Sequence, residues 1–418
     1  MPLLALAPVN GSRVKLVHQA WVVASAWLVT RVVLLAAWLP GWHELAGDVH
    51  YYWKNTAALA SGTASAANVM VEYPTPVLWL LRLPLLLGGG TEDGFRLAFH
   101  AILVALDLVF TILLWQRGRG WLATWFWIVF VVAMGPITYQ RLDLVPAVLS
   151  ATALLALAAR RPAGVGAALA AGAGLKFWPA FLLPVSLRGE KRSDAITAAV
   201  FTGVGLLIVV GSIAYGGIAR LVSPLVWQSG RGLQIESVWA TPLMIARIAD
   251  PQAHPVHYSA WQAFEVFGPG VDALLVAASL ATLLSYVAFL VGYGFWIARL
   301  YVRRESPSVA SAGLLMVTVV AITLIANKTL SPQYLLWLGA PVAVLLVLQP
   351  RLRFPAVLVL LLGVLTQLVY PVLYNVLLAG GPGSAVVATL LALRNLGLVV
   401  LTGWLVVGSV RVLASADK

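Results

Sequence analysis

Between Val271 and Val302 the chain reads VDALLVAASLATLLSYVAFLVGYGFWIARLYV, with no charge between Asp272 and Arg299. A bilayer core is ~30 Å thick and a helix rises ~1.5 Å per residue, so a crossing needs about 20 mostly apolar residues. This run exceeds that length and predicts a transmembrane helix. Further full crossings are predicted at 17–39, 95–115, 120–138, 142–159, 194–214, 309–327, 333–349, 354–378 and 384–411. Two apolar stretches fall short of a crossing. One is 74–88; the other is 162–187, interrupted by Lys176, Pro179 and Pro184. The expectation is one all-α polytopic membrane domain over 1–418.

Composition agrees. Of 418 residues, 61% are hydrophobic and 10% charged, against roughly 45–50% and about 25% in soluble domains. A water-soluble fold has no means of hiding that much apolar surface, which disfavours soluble enzymes, disordered tails and fibrous proteins. The chain has no Cys, which excludes disulfides, thiol nucleophiles, iron–sulfur clusters and Cys-ligated zinc. The formal charge of +12 reads as positive-inside bias and not as a nucleic-acid footprint. Abundant Ala, Val, Leu and Gly, with Arg exceeding Lys, suggest a GC-rich bacterial genome.

Orientation follows from the charges. Arg117/Arg119, Arg160/Arg161, Arg188/Lys191/Arg192, Arg299/Arg303/Arg304, Arg351/Arg353, Arg411 and Lys418 gather on one side. Glu44, Asp48, Glu72, Glu92, Asp93, Glu236, Asp250, Glu265 and Asp272 gather on the other. Both termini are therefore expected in the cytoplasm of a plasma-membrane protein. This requires that 74–88 lie along the surface, and that 162–187 enter and leave by one side. Arg13 and Lys15 precede the first crossing and no small-residue cleavage site follows it, so it reads as a retained anchor. The large outer loops, 40–94 and 215–270, are the expected seat of any chemistry. The nucleotide-cradling pattern G-x-x-x-x-G-K-[ST] is absent.

Polar constellations stand out against this background. The first loop carries Asp48-Val49-His50-Tyr51-Tyr52-Trp53. A carboxylate among aromatics suits a general base for a hydroxyl, and the rings suit the C–H faces of a sugar. It also suits an Asp opening a surface helix. Val71-Glu72-Tyr73-Pro74-Thr75-Pro76 leads into a short interfacial helix. Arg141 sits in a short outer turn, with Asp143, Asp48 or a substrate phosphate as its partner. Lys176 lies in the apolar hairpin, where an ammonium needs an anion: a lipid phosphate, Asp107 or Asp143. Arg31, Asp107 and Arg394 read as a structural ion pair, Asp107 joining one of the two. Arg231, Gln234 and Glu236 lie in a segment dense in hydrogen-bonding groups. His257, with His254 nearby, lacks a convincing set of metal ligands. Lys328 and Gln333 line a polar outer turn.

Together these elements resemble the polyprenyl-phosphate-dependent membrane glycosyltransferases of the GT-C superfamily, and within it glycosyltransferase family 87. The matching features are Asp48, Tyr73-Pro74, Leu175-Lys176 with Pro179, Arg231 to Ser237, and Ser331-Pro332-Gln333-Tyr334. Glu72-Tyr73-Pro74-Thr75-Pro76 differs from the Tyr-Pro-Pro common in that family. The resemblance implies a GT-C-like bundle of about ten crossings, with a re-entrant hairpin and an interfacial helix. It implies an inverting transfer of a sugar, mannose first and arabinofuranose second, from a polyprenyl-phosphate donor to a glycolipid or cell-envelope glycan. Asp48 is carried over as the base. Lys176, Arg141, Arg231, His257, Lys328 and Gln333 are expected at the donor, and His50, Tyr51, Tyr52, Glu72, Tyr73, Gln234 and Glu236 at the acceptor or sugar. No cofactor, no metal and no nucleic-acid partner is expected; the partners are the donor, the acceptor and the bilayer. A secondary transporter or lipid flippase is the alternative, although only one broken hairpin and no repeat is visible. A non-catalytic scaffold needs neither the outer Asp nor the hairpin Lys.

Overall fold

The computed structural model describes residues 10–38, 47–117, 121–381 and 383–414. Of the charges that set the orientation, Glu44, Arg119 and Lys418 lie outside these residues. Of these residues, 78% are helical. Its helices are α1 (Asn10–Trp38), α2 (Gly47–Ala60), α3 (Thr75–Leu87), α4 (Glu92–Gln116), α5 (Trp121–Met134), α6 (Leu144–Ala158) and α7 (Pro162–Leu175). There follow α8 (Lys191–Gly230), α9 (Thr241–Ala249), α10 (Val271–Ile297), α11 (Val309–Ala326), α12 (Leu336–Leu348), α13 (Arg353–Gln367), α14 (Tyr374–Ala379) and α15 (Ser384–Ala414). One departure from an all-α chain is a hairpin of β1 (Val256–Tyr258) and β2 (Phe264–Val266), paired antiparallel with His257 opposite Glu265.

Among the described residues, seven helical segments are long and apolar enough to cross a membrane: within α1, and at 92–116, 191–230, 271–302, 309–326, 353–372 and 384–414. The expected stretches 120–138, 142–159 and 333–349 instead give the shorter helices α5, α6 and α12. Gly135, at φ +69°, ends α5, and Pro136 follows it into the single turn Ile137–Gln140. Such a φ is open to Gly at little cost. The 333–349 stretch begins as a 3₁₀ turn, Pro332–Leu335.

The short helices are interior. Every residue from Leu336 to Leu346 of α12 is buried, and α12 packs on α5, α6, α11 and α13. A helix apolar all round is one enclosed by protein or lipid, and protein encloses this one. The long helices α8 and α10 expose most of their apolar windows, with Leu207, Val210, Leu284 and Leu290 facing outward. α8 is two helices joined at Gly217, whose φ is +79°.

Both ends of segment 162–187 lie against the first turns of α8. At its base Thr197 Oγ1 donates to the carbonyl of Pro162 at 3.2 Å, and Arg188 and Gly189 donate backbone N–H groups to Asp194. Tyr301 Oη donates to the same carboxylate at 2.6 Å, and Arg299 bonds the carbonyl of Val412. The start of α8 and the ends of α10 and α15 thus meet at one arginine-rich face. Deep in the bundle, Asp107 accepts from Arg31 Nε and Nη2 at 2.9 and 3.1 Å, Trp27 at 2.8 Å, Trp127 at 2.7 Å and Tyr139 at 2.8 Å. Arg394 joins a different acid, Glu236, at 2.8 Å.

Candidate functional site

The polar cavity opposite the arginine-rich face measures about 220 Å³. Asp48, Arg141 and Arg231 supply its charges together with Glu236. Five separate parts of the chain build it. α2 presents Asp48 in its first turn, where a carboxylate is favoured by the helix dipole. The turn after α5 presents Arg141. The loop after α8 runs beside the β hairpin: Val266 N–H donates to the carbonyl of Leu233 at 3.0 Å, and Ile235 N–H to that of Phe264 at 3.1 Å. This ribbon brings Gln234, Tyr258, Gln262 and Phe264 to the cavity wall. The 3₁₀ turn before α12 adds Ser331 and Gln333, and the bend after α13 adds Tyr370 and Tyr374.

Asp48 and Arg141 form an ion pair. Arg141 Nη2 also donates to Tyr370 Oη at 3.3 Å. Beside this pair the hydroxyls of Tyr52 and Tyr73 meet at 3.0 Å. Burial, and then nearby charge, keeps both phenols well above their ordinary range, so both stay neutral. Lys176 Nζ lies 5.2 Å from the centre of the Tyr73 ring and 5.3 Å from that of Tyr334, a cation–π setting. Its nearest carboxylate is Asp143, at 3.8 Å, which already accepts from Trp337 Nε1 at 3.0 Å. Tyr334 and Trp337 stack at 4.1 Å. Asp48, Arg141, Tyr52, Tyr73, Lys176 and Asp143 thus form one polar layer.

Tyr51 donates to Glu72 at 2.8 Å. Burial raises the Glu72 carboxyl above its ordinary value, while its hydrogen bonds act in the opposite sense. Arg220 fixes this stretch by donating to the carbonyls of Met70 and Tyr73 at 3.0 and 2.8 Å. Glu236 is buried against Arg394, and burial raises its carboxyl too. Several polar atoms at the cavity have no partner among the described residues: Arg141 Nε, Arg231 Nε and Gln234 Oε1. Buried groups of this kind cost free energy until something bonds them. No three His, Asp or Glu side chains among the described residues gather as metal ligands.

The structure therefore brings together Asp48, Arg141, Arg231, Gln234, Glu236 and Gln333 on the wall, with Tyr51, Tyr52, Glu72, Tyr73 and Lys176 beside or below it. Three expected residues stand apart. His50 pairs with Glu92 at 2.9 Å on the outside of α2. His257 is exposed, its ring against Phe267 at 5.8 Å. Lys328 donates to the carbonyl of Ser229 at 2.9 Å. Sequence reasoning missed Tyr258, Gln262, Tyr370 and Tyr374. The i, i+4 tyrosines around Pro371, in an otherwise aliphatic run, were the available signal.

Compared with protein-family models, curated proteins and solved structures, the chain matches none.

Proposed function

We propose that this chain is an inverting glycosyltransferase of the plasma membrane, using a polyprenyl-phosphate sugar on the extracytoplasmic face. The observation that carries the reading is a single cavity holding one partly exposed carboxylate, Asp48, beside Arg141 and Arg231, with Lys176 behind its wall between the Tyr73 and Tyr334 rings. Depth supports it as well. α6 and α7, 15 and 14 residues long, span only about 21 Å between the arginine-rich face and Asp143 and Lys176. That is less than the ~30 Å of hydrocarbon. With the arginines at the cytoplasmic headgroups, Asp143 and Lys176 lie within reach of a lipid-linked phosphate. In this reading α5, α6 and α12 complete the crossings, the total is about ten, both termini are cytoplasmic, 162–187 is re-entrant and α3 is interfacial.

The acceptor hydroxyl attacks the anomeric carbon while the bond from that carbon to the phosphate oxygen breaks. Asp48 takes the hydroxyl proton. Arg231 and Lys176 receive the charge that develops on the departing polyprenyl phosphate. Tyr258, Tyr370 and Tyr374 offer ring faces and hydroxyls to the sugar. Mannose is the first candidate and arabinofuranose the second.

The test is to incubate the purified protein with polyprenyl-phosphate-mannose or -arabinose and glycolipid acceptors, and to follow transfer by mass spectrometry. Transfer that disappears in Asp48→Asn supports the reading. Movement of the intact donor between leaflets of proteoliposomes, without transfer, would instead favour a flippase.

A further inference from the structure

A second polar cavity, about 120 Å³, lies at the other end of α6 and α7, between Arg160, Arg161, Arg188, Glu190, Asp194 and Thr197. Asp194 is fully engaged there. Its Oδ1 accepts from Arg188 N–H at 2.9 Å, and its Oδ2 from Gly189 N–H at 2.7 Å and Tyr301 Oη at 2.6 Å. It holds the turn and leaves the guanidiniums to find other anions. Among the described residues, none of the three arginines has a carboxylate within 4.0 Å. Arg188 Nη1 is buried without a hydrogen-bond partner. Burial holds the Arg188 guanidinium below its ordinary value; Glu190 opposes this, and the Arg160 charge adds to it.

Arg160 is also conformationally costly. It ends α6 at φ +54°, a position where Gly is the usual residue. A non-glycine residue held there persists where its surroundings over-determine it. The first turns of α7 and α8 open beside the same cavity, neither with a side-chain cap, and their free N–H groups add to its positive potential.

We propose that this cavity binds a phosphoryl anion, either the headgroup phosphate of an anionic lipid or free phosphate. Three guanidiniums without carboxylate partners, one of them with an unpartnered buried nitrogen, are a donor set suited to phosphate oxygens. The site lies about 21 Å from Lys176, the length of α7, and stands independently of any activity at the outer cavity.

The experiment uses the full chain, purified and stripped of lipid. Binding is read by native mass spectrometry and by melting temperature, with inorganic phosphate and with nanodiscs of phosphatidylglycerol or phosphatidylcholine. Phosphatidylglycerol is expected to bind and stabilise where phosphatidylcholine does not. Arg160→Gln and Arg161→Gln, both at exposed side chains, should each weaken that binding about fivefold, the scale of one basic residue at an anionic surface. Arg188→Gln adds a third variant but is not needed if it fails to fold. Stabilisation by inorganic phosphate, with the same arginine dependence, identifies free phosphate as the source. The proposal is overturned if Arg160→Gln and Arg161→Gln bind as the parent does. Equal weakening by Arg351→Gln, an exposed arginine at another turn, overturns it too, because that result describes a diffuse basic face.

Discussion

Arg141 grips the carboxylate that the proposed chemistry needs, so the two residues must be perturbed separately. In Asp48→Asn the amide oxygen still accepts from Arg141 but takes no proton. Turnover should fall by roughly 10²–10⁴, with the melting temperature within a few degrees of the parent; undiminished turnover would move the base to Glu72 or Glu236. Lys176→Met is the second test. Asp143 keeps its bond from Trp337 when the ammonium is removed, so the empty protein should lose less than the ~3–5 kcal/mol of a stranded buried charge. Binding of polyprenyl phosphate should weaken by about 1.5–3 kcal/mol. A large loss of stability with ligand binding intact would make Lys176 a structural residue. Glu72 supplies a pH test. Its folded value is raised, so between its ordinary value near 4.5 and that raised value the folded state holds the proton more tightly than the unfolded one. Its contribution to stability is then greatest in acid and declines as pH rises. Melting curves of the parent and Glu72→Gln should diverge upward in pH from about 4.5, and parallel curves would show that Glu72 is unperturbed. Most of the cavity was legible because polar groups are conspicuous in an apolar chain. What sequence does not show is direction. His50, two positions after Asp48, is turned about 200° around α2, and His257, next to Tyr258 on a strand, faces the other way.

At the level of elements, three helices shorter than a typical full crossing form the centre, and the contact of α5 with α12 is close. A Cβ on Gly339 would lie 2.0 Å from the Phe130 ring. Gly339→Ala must displace that ring and should cost about 1–3 kcal/mol. Gly292→Ala on α10, with open space around it, should be neutral or slightly stabilising. Thermal melts in one detergent compare the two directly; equal melting temperatures would mean that the α5–α12 contact is loose. This packing explains the span count. A window of apolar residues signals removal from water, and a protein interior satisfies it as well as lipid does. The long helices were legible because length and lipid exposure coincide in them. The β hairpin was not: His257 and Glu265 are polar strand residues, and three-residue strands leave almost no periodic signal.

The whole molecule has two unlike ends, one with the cavity of Asp48 and one with the arginines. Because the chain lacks Cys, sidedness can be measured by single exposed replacements. Ser61→Cys should react with a membrane-impermeant thiol reagent on intact cells and Ser306→Cys should not; the reverse pattern would invert the proposed topology. The buried bond from Arg31 to Asp107 carries a consequence for how the protein is made. The two residues are 76 apart, so at about 5–20 residues per second Asp107 is synthesised roughly 4–15 s after Arg31. For that interval α1 carries an unmatched guanidinium, a burden of about 2.5–3.5 kcal/mol at the centre of an inserted helix. Asp107, Trp127 and Tyr139 belong to later segments. If α1 crosses the membrane as proposed, its insertion is expected to become more favourable once α4 and α5 arrive to claim that charge.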